Sequence, residues 1–296
     1  MQKKSVYILI PVHNRREITV HCLKHLKEQG ILDQYQVVVI DDGSTDGTSD
    51  AIVREYSQVK LLQGSGNLWW TGAIVQGMKY AMSQDANYII WLNDDTVPND
   101  GAIEMLVAAC QKNAKVIASA QCYGDNSFTH PTYGAQIRSF LNVKLKPTKH
   151  NQIQTCDALS GNLVCFSSDL IRAIGYPDAD RVPHCQADII YTYQGKKAGF
   201  IPTVLGDSIA ICAMNPMDSG WINSSVAIRK RWKMMNSPKS NLYPSAYWYY
   251  CWKFYGFLGI LPFIQVYLRL TIITLLSLVF PIVWLQRLKA FKDRRI

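Results

Sequence analysis

The sequence predicts an α/β protein: a mainly parallel sheet with helices on both faces, followed by a shorter helical region. Three observations carry this. Apolar runs without alternation recur at residues 6–10, 37–40 and 88–92, and such runs read as strands buried on both faces. Segments of helical periodicity separate them, the pattern of strands joined by crossover helices. Each run leads into a polar cluster: Pro11-Val12-His13-Asn14-Arg15, then Asp41-Asp42-Gly43-Ser44-Thr45-Asp46, then Asn93-Asp94-Asp95-Thr96. In open α/β sheets, ligands bind at the rim outside the carboxyl ends of the strands. Three such loops on one rim make a site that none makes alone.

The elements follow in order. Asn14 and Glu17 have the spacing of a capping box for a helix whose Ile18, Cys22, Leu23 and Leu26 share a face, with Gly30 at its end. His21 and His25 lie one turn apart on it, with no third ligand nearby, so a solvated face is the expectation. After the second strand comes an amphipathic segment with Ile52 and Tyr56, then a short strand at residues 59–62. Thr71 is placed to cap a helix marked by Ile74, Met78 and Met82. The third run ends in paired carboxylates, Asp94 and Asp95, and Pro98 is expected to stop the strand just beyond. Neighbouring carboxylates repel, so a cation suits them, and oxygen ligands suit Mg2+ or Mn2+. Asn99 or Asp100 opens the next helix, through Cys110. Residues 116–120 are a strand, and residues 122–160 read as hairpins or a flap. Another strand at 161–166, a short helix capped by Ser168 and a helix through Lys197 complete the region.

Composition sets the outer bounds. The chain has 296 residues, 48% of them hydrophobic, enough for one large domain with an appendage. Its net charge is +9, which suits a membrane surface, nucleic acid or a phosphate-bearing substrate. The acidic rim argues against nucleic acid. The eight cysteines form no C-x-x-C pair and read as reduced thiols, and Met1 runs almost directly into a strand, so the N-terminal part is expected to be cytoplasmic.

The C-terminal part changes character. Aromatic residues are dense from Tyr243 to Tyr255, and residues 254–285 carry one formal charge, Arg269. The uncharged run after it is about 16 residues, roughly 24 Å as a helix, short of a span, and Pro262 and Pro281 interrupt the 254–285 segment. Five cations follow: Arg287, Lys289, Lys292, Arg294 and Arg295. This pattern suits a helix lying in the interface of an anionic leaflet. A helical cap on the core or a homodimer contact is the other reading.

Over about residues 5 to 215 the chain resembles the family 2 glycosyltransferases of the GT-A fold. Ile8-Leu9-Ile10-Pro11-Val12-His13-Asn14-Arg15 resembles the opening strand and loop. Val39-Ile40-Asp41-Asp42-Gly43-Ser44-Thr45-Asp46-Gly47-Thr48 matches the second-strand motif closely. Asn67-Leu68-Trp69-Trp70-Thr71-Gly72-Ala73 is similar to a variant of bacterial polysaccharide and rhamnosyltransferase-like members. Asn93-Asp94-Asp95 sits where the family carries its D-x-D metal motif.

The resemblance implies transfer of a sugar, with inversion, from a nucleotide diphosphate sugar to a hydroxyl. A UDP- or dTDP-sugar is the expected donor, and a glycan the acceptor, lipid-linked at the cytosolic face of a bacterial inner membrane in surface polysaccharide synthesis. The implied donor contacts are Pro11, His13, Asn14, Arg15, Asp41, Asp42, Asn67, Trp70, Asn93 and Asp94. Asp95 would hold Mn2+ or Mg2+. Lys197-Ala198-Gly199-Phe200 matches a family signature, and counting back places Asp188 on the catalytic base. The implied domains are 1–215 for transfer and 216–296 for membrane association.

The chain also departs from the pattern. Asn93 replaces the first aspartate, Ala187 the glutamate before the base, and Gln194 a downstream arginine. The usual third metal ligand, a histidine, is absent, with Asp207 and Cys212 nearby. Ile228 stands where processive synthases have a glutamine ahead of Arg231-Trp232, so single-residue addition is expected. The alternative is a membrane-associated sugar-nucleotide binder without catalysis.

Overall fold

The computed structural model describes residues 5–214 and 227–279. The chain divides into two compact units, Met1–Met214 and Asn215–Ile296.

In the first unit, β1 (Val6–Val12) is followed by α1 (Arg16–Glu28), the single turn α2 (Ile31–Gln34) and β2 (Gln36–Asp41). Helix α3 (Thr48–Glu55) leads to β3 (Lys60–Gln63), and α4 (Trp69–Ser83) to β4 (Tyr88–Leu92). The bridge-length β5 (Val97–Pro98), α5 (Ala102–Lys112) and β6 (Val116–Tyr123) come next. Five short strands fill the following stretch: β7 (Pro131–Tyr133), β8 (Ala135–Arg138), β9 (Val143–Lys146), β10 (Ile153–Thr155) and β11 (Ala158–Leu159). Then come β12 (Leu163–Ser167), α6 (Ser168–Ile174), α7 (Ala187–Lys197) and β13 (Ile201–Ile211).

The main sheet runs β10-β13-β6-β12-β4-β1-β2-β3. The four strands β1 to β4 are parallel, as their crossover helices require. The other half is mixed. β12 lies antiparallel between β4 and β6, and β13 pairs parallel with β6.

Alternate side chains of each strand enter opposite cores. Ile8, Ile10, Val37, Val39, Ile90 and Leu92 pack with Leu23, Leu26, Ile52 and Leu106 on one face. Leu9, Val38, Ile40, Ile89 and Trp91 pack with Ile74, Met78, Leu170 and Tyr191 on the other. Gly77 of α4 lets that helix sit close, since a Cβ there would come within 2.8 Å of Ile40 Cδ1.

Several helix caps differ from the sequence expectation. Asn14 has φ 51° and its side chain turns to Thr45, so it does not cap α1. Asp46, brought in by β2, accepts the Arg16 N–H at 2.9 Å instead. Thr71 lies inside the first turn of α4, and its hydroxyl donates to the Val182 carbonyl. The α4 N–H groups of Leu68 and Trp69 go to Asp42, a distant carboxylate taking the role of a local cap. Helix α5 opens after Gly101 at φ 76°, with Asn99 offering only its carbonyl. Ser168 begins α6, and its hydroxyl accepts from Arg172. His25 bonds the Pro98 carbonyl at 2.7 Å, a structural use that removes it from a metal pair with His21.

The second unit holds α8 (Ile228–Met235), α9 (Pro244–Tyr255), a tight turn at Gly256–Gly259 and α10 (Ile260–Val279). Helix α10 folds back along α9: Tyr267 donates its hydroxyl to the Leu242 carbonyl at 2.7 Å, and Tyr247 stacks on Phe263. The fold-back needs Gly259, where a Cβ would run into the Cys251 carbonyl. Pro262 does not break this helix. It lies in the first turn, where backbone N–H groups have no partner within the helix. Helix α10 is 20 residues, about 30 Å. The stretch Pro244–Val279 is long and apolar enough to cross a membrane by length and composition. Leu261, Ile264, Leu268, Ile272, Leu275 and Val279 form an exposed stripe at helical spacing. Pro281 and the five cations of residues 287–295 lie outside the described residues.

Candidate active site

The three polar clusters meet because their strands are neighbours. Val12 is in register with Asp41, and the Asp42 N–H donates to the Val12 carbonyl at 2.9 Å. The chain leaves β4 one strand away. His13 bonds the Asp42 carbonyl through Nδ1 at 2.6 Å, which leaves Nε2 to accept from the Asn14 amide at 3.1 Å. Asn14 binds the Ser44 hydroxyl and the Thr45 N–H. Pro11 is the last but one residue of β1. The loops after β1 and β2 are therefore one bonded surface.

Asp41 and Asp42 are buried. Asp41 accepts the Ser44 N–H and the Ser49 hydroxyl. Asp42 accepts three backbone N–H groups, from Gly66 at 2.7 Å, Leu68 at 2.8 Å and Trp69 at 3.0 Å. Both carboxylates are spent on shaping loops. Asn67 is exposed in the loop between β3 and α4 and accepts from the Trp69 indole.

The acidic pair carries the densest charge. Arg15 reaches both members: Nη1 is 3.0 Å from Asp94 and Nη2 is 2.9 Å from Asp95. Asp94 also accepts the Thr19 hydroxyl at 3.1 Å. Burial pushes the Asp94 carboxyl up to about 6, with Asp95 adding to the rise and Arg15 opposing it. Asp95 is more open, and its Oδ1 is met by the Cys212 thiol at 3.9 Å. Cys212 follows the last residue of β13, and burial pushes its thiol up to about 11. The Asp207 carboxylate is taken by His150 and the Asn151 N–H.

Trp70 donates its indole N–H to Asn93 Oδ1 at 2.8 Å, and the Asn93 N–H donates to the Asn162 carbonyl. Asn93 thus holds Trp70 with its side chain. Asp188, in the first turn of α7, accepts the Gly161 N–H at 2.5 Å and the Ile189 N–H at 2.8 Å. Burial pushes its carboxyl up, against the pull of those N–H groups. Gly161 lies between the two: a Cβ there would come 2.8 Å from Asp188 Cβ and 3.1 Å from Trp70 Cζ2. Trp70, Asn93, Gly161 and Asp188 therefore form one connected group, which Asn93 joins in sequence to Asp94 and Asp95.

Among the described residues, no group of three or more His, Cys, Asp or Glu converges as a metal cage. The donor set that is present is one partly open carboxylate, Asp95. That suits an ion held by one carboxylate together with phosphate oxygens, the usual manner of Mg2+ at phosphate sites.

A parallel half-sheet with polar loops converging at its carboxyl rim defines an α/β protein of the kind that binds its ligand at that rim. Residues 7–175 match the model of Glycosyl transferase family 2, more than half of the chain, and the chain belongs to that family. The match stops before Asp188. An uncharacterized glycosyltransferase of Mycoplasma pneumoniae is 27% identical over 160 residues, 51% of this chain and 52% of that one. An uncharacterized protein of Methanocaldococcus jannaschii is 28% identical over 107 residues, 36% and 42% of the two chains. The matches span about half the length of these curated relatives.

Among solved structures, the mannosyltransferase PcManGT from Pyrobaculum calidifontis, in complex with GDP-Man and Mn2+, superposes with TM-score 0.57 at 14% identity. It covers 98% of this chain and 80% of that one. GalNAc-T7 with UDP, GalNAc and Mn2+ gives 0.56 at 14%, covering 72% and 45%. At this identity the likeness is one of fold, and the fold is GT-A.

No simple sequence signal marks Gly161 as the spacer between Trp70 and Asp188, or Arg15 as the partner of both rim carboxylates. Each depends on a contact between loops far apart in the chain.

Proposed function

We propose that this chain is an inverting glycosyltransferase that moves a sugar from a nucleotide diphosphate sugar to a glycan hydroxyl. The observation that carries it is the chain of contacts from Asp188 through Gly161 to Trp70 and from Trp70 to Asn93, the residue before the acidic pair, in a family 2 fold. The donor lies over the Pro11 to Arg15 loop and the turn after Asp41. Asp41 and Asp42 act on it through the loops they shape, and His13, Asn14, Asn67, Trp70, Asn93 and Asp94 frame it. The acceptor oxygen attacks the anomeric carbon from the side opposite the diphosphate. The carbon–oxygen bond to phosphate breaks as the new one forms, and Asp188 takes the hydroxyl proton. A carboxyl raised by burial suits that task. Asp95 would hold Mn2+ or Mg2+, which would supply positive charge to the leaving diphosphate.

The second unit supports a lipid-linked acceptor. Its exposed apolar stripe and the exposed Trp248 and Trp252 suit attachment to a membrane, here the cytosolic face of a bacterial inner membrane. Synthesis of a surface polysaccharide, with a UDP- or dTDP-sugar as donor, is the role this reading favours.

The experiment is a panel of UDP-, dTDP- and GDP-sugars with Mn2+, read by thermal shift and by donor turnover. One nucleotide should stabilise the protein and its sugar should be released or transferred, while Asp95→Ala should lose turnover and keep its fold. Binding without turnover, with or without Mn2+, would favour a non-catalytic sugar-nucleotide binder, to which Ala187 and the occupied acidic pair also point.

A further inference from the structure

Arg15 divides its guanidinium between two carboxylates that differ in kind. Asp94 is a closed partner: its side chain is 2% exposed and its other oxygen takes the Thr19 hydroxyl. Asp95 is an open partner, 26% exposed, and the Arg15 side chain itself is 37% exposed. One half of the pairing is therefore an anchor and the other half faces solvent. A divalent ion on Asp95 would stand a few ångströms from the guanidinium. Like charges at that distance repel, and the repulsion weakens the ion's hold on Asp95. A diphosphate changes the balance, because it gives the planar guanidinium a second partner of matching geometry.

We propose that Arg15 is the resident counter-cation of this rim and decides when a divalent ion is admitted. It holds Asp95 against a free ion, and it yields Asp95 when the ion arrives with a diphosphate. This makes Arg15 a specificity-determining residue for the metal, and it rests on the reading of the rim as a nucleotide diphosphate site. The ion and the nucleotide then bind cooperatively through one side chain. By reciprocity each tightens the other by the same factor.

The test measures Mn2+ binding at pH 8 by the electron paramagnetic resonance signal of the free ion, with and without UDP or GDP. Wild type should bind Mn2+ alone weakly and at least ~10-fold more tightly with nucleotide. Arg15→Gln keeps a donor for Asp94 and removes the charge. It should bind Mn2+ alone at least ~10-fold more tightly than wild type, and nucleotide should add little. Arg15→Lys keeps a charge without the two-pronged fork, so its Mn2+ affinity without nucleotide should stay below that of the Gln variant. If Arg15→Gln does not fold, the pair Arg15→Gln/Asp94→Asn removes the buried charge as well, and the same rise is expected. Mn2+ affinity in the Gln variant below that rise, or a Lys variant that matches it, would overturn the proposal. Failure of UDP and GDP to bind wild type, with Mn2+ alone still guarded by Arg15, would instead count against the nucleotide reading.

Discussion

Asp188 accepts the backbone N–H of Gly161 at 2.5 Å, and the missing side chain of Gly161 is what lets Trp70 stand on the other side. The position of the carboxylate is thus set by the absence of one methyl group. Gly161→Ala would bring Cβ within 2.8 Å of Asp188 Cβ, so the carboxylate or Trp70 must move. A displacement of about 1 Å at a reacting group costs roughly 10²-fold in rate. We expect that loss in turnover with nucleotide affinity nearly unchanged, measured by steady-state kinetics and calorimetry. Activity within threefold of wild type would show that the contact does not position the base.

Asp188→Asn keeps the shape and removes the proton acceptor. Turnover should fall by about 10²–10⁴-fold. The wild-type pH profile should lose activity on the acid side, with a midpoint above the ordinary carboxylate range, because burial raises this group and only the ionised form accepts a proton. The variant's residual rate should lack that limb. A limb that persists in the variant assigns it to another group.

Asp94 makes stability depend on pH. Its carboxyl is raised from 3.8 to about 6 in the folded protein, so the fold favours the protonated form. Its contribution is fully present below its unfolded value and is lost as pH rises through about 6. In metal-free, nucleotide-free protein, wild type should lose about 2–3 kcal/mol relative to Asp94→Asn between pH 4 and pH 7. Urea unfolding across that range measures it. A constant difference would mean that Arg15 cancels the burial.

The α10 stripe predicts membrane attachment. Leu268 and Leu275 are exposed on one side of that helix. Aspartate at both should reduce binding to phosphatidylcholine–phosphatidylglycerol vesicles by about tenfold or more, with transfer to a short soluble acceptor preserved. If the unsubstituted protein stays in the supernatant at low salt, the stripe is a protein contact and the lipid-linked acceptor loses its main support.

The sheet was legible because buried strands leave continuous apolar runs, and residues 88–92 announce both a central strand and the rim where it ends. The convergence of the three loops followed from strand order. The caps were not legible. A cap can be supplied across space, as Asp42 supplies an acceptor for the N–H groups of Leu68 and Trp69 at the start of α4 and Asp46 one for the Arg16 N–H of α1, and local spacing cannot show that. The antiparallel β12 left no mark either, since a strand buried on both faces has the same composition in either direction. Asn14, expected as a cap, serves the loop instead by binding Ser44 and Thr45. Pro262 was misplaced for a related reason: a proline stops a helix or starts one, and only the backbone before it decides which.

Thr71 donates its hydroxyl to the Val182 carbonyl at 2.6 Å and its N–H to the Pro183 carbonyl at 3.0 Å. Helix α4, whose first turn carries Trp70, is in this way riveted to the segment that leads into α7 and Asp188. On the proposed reading, the element that would frame the donor and the one that would carry the base cannot be adjusted separately. A lineage that retools one of them for a new sugar drags the other along, and paired changes on either side of this rivet are the expected trace of such a history.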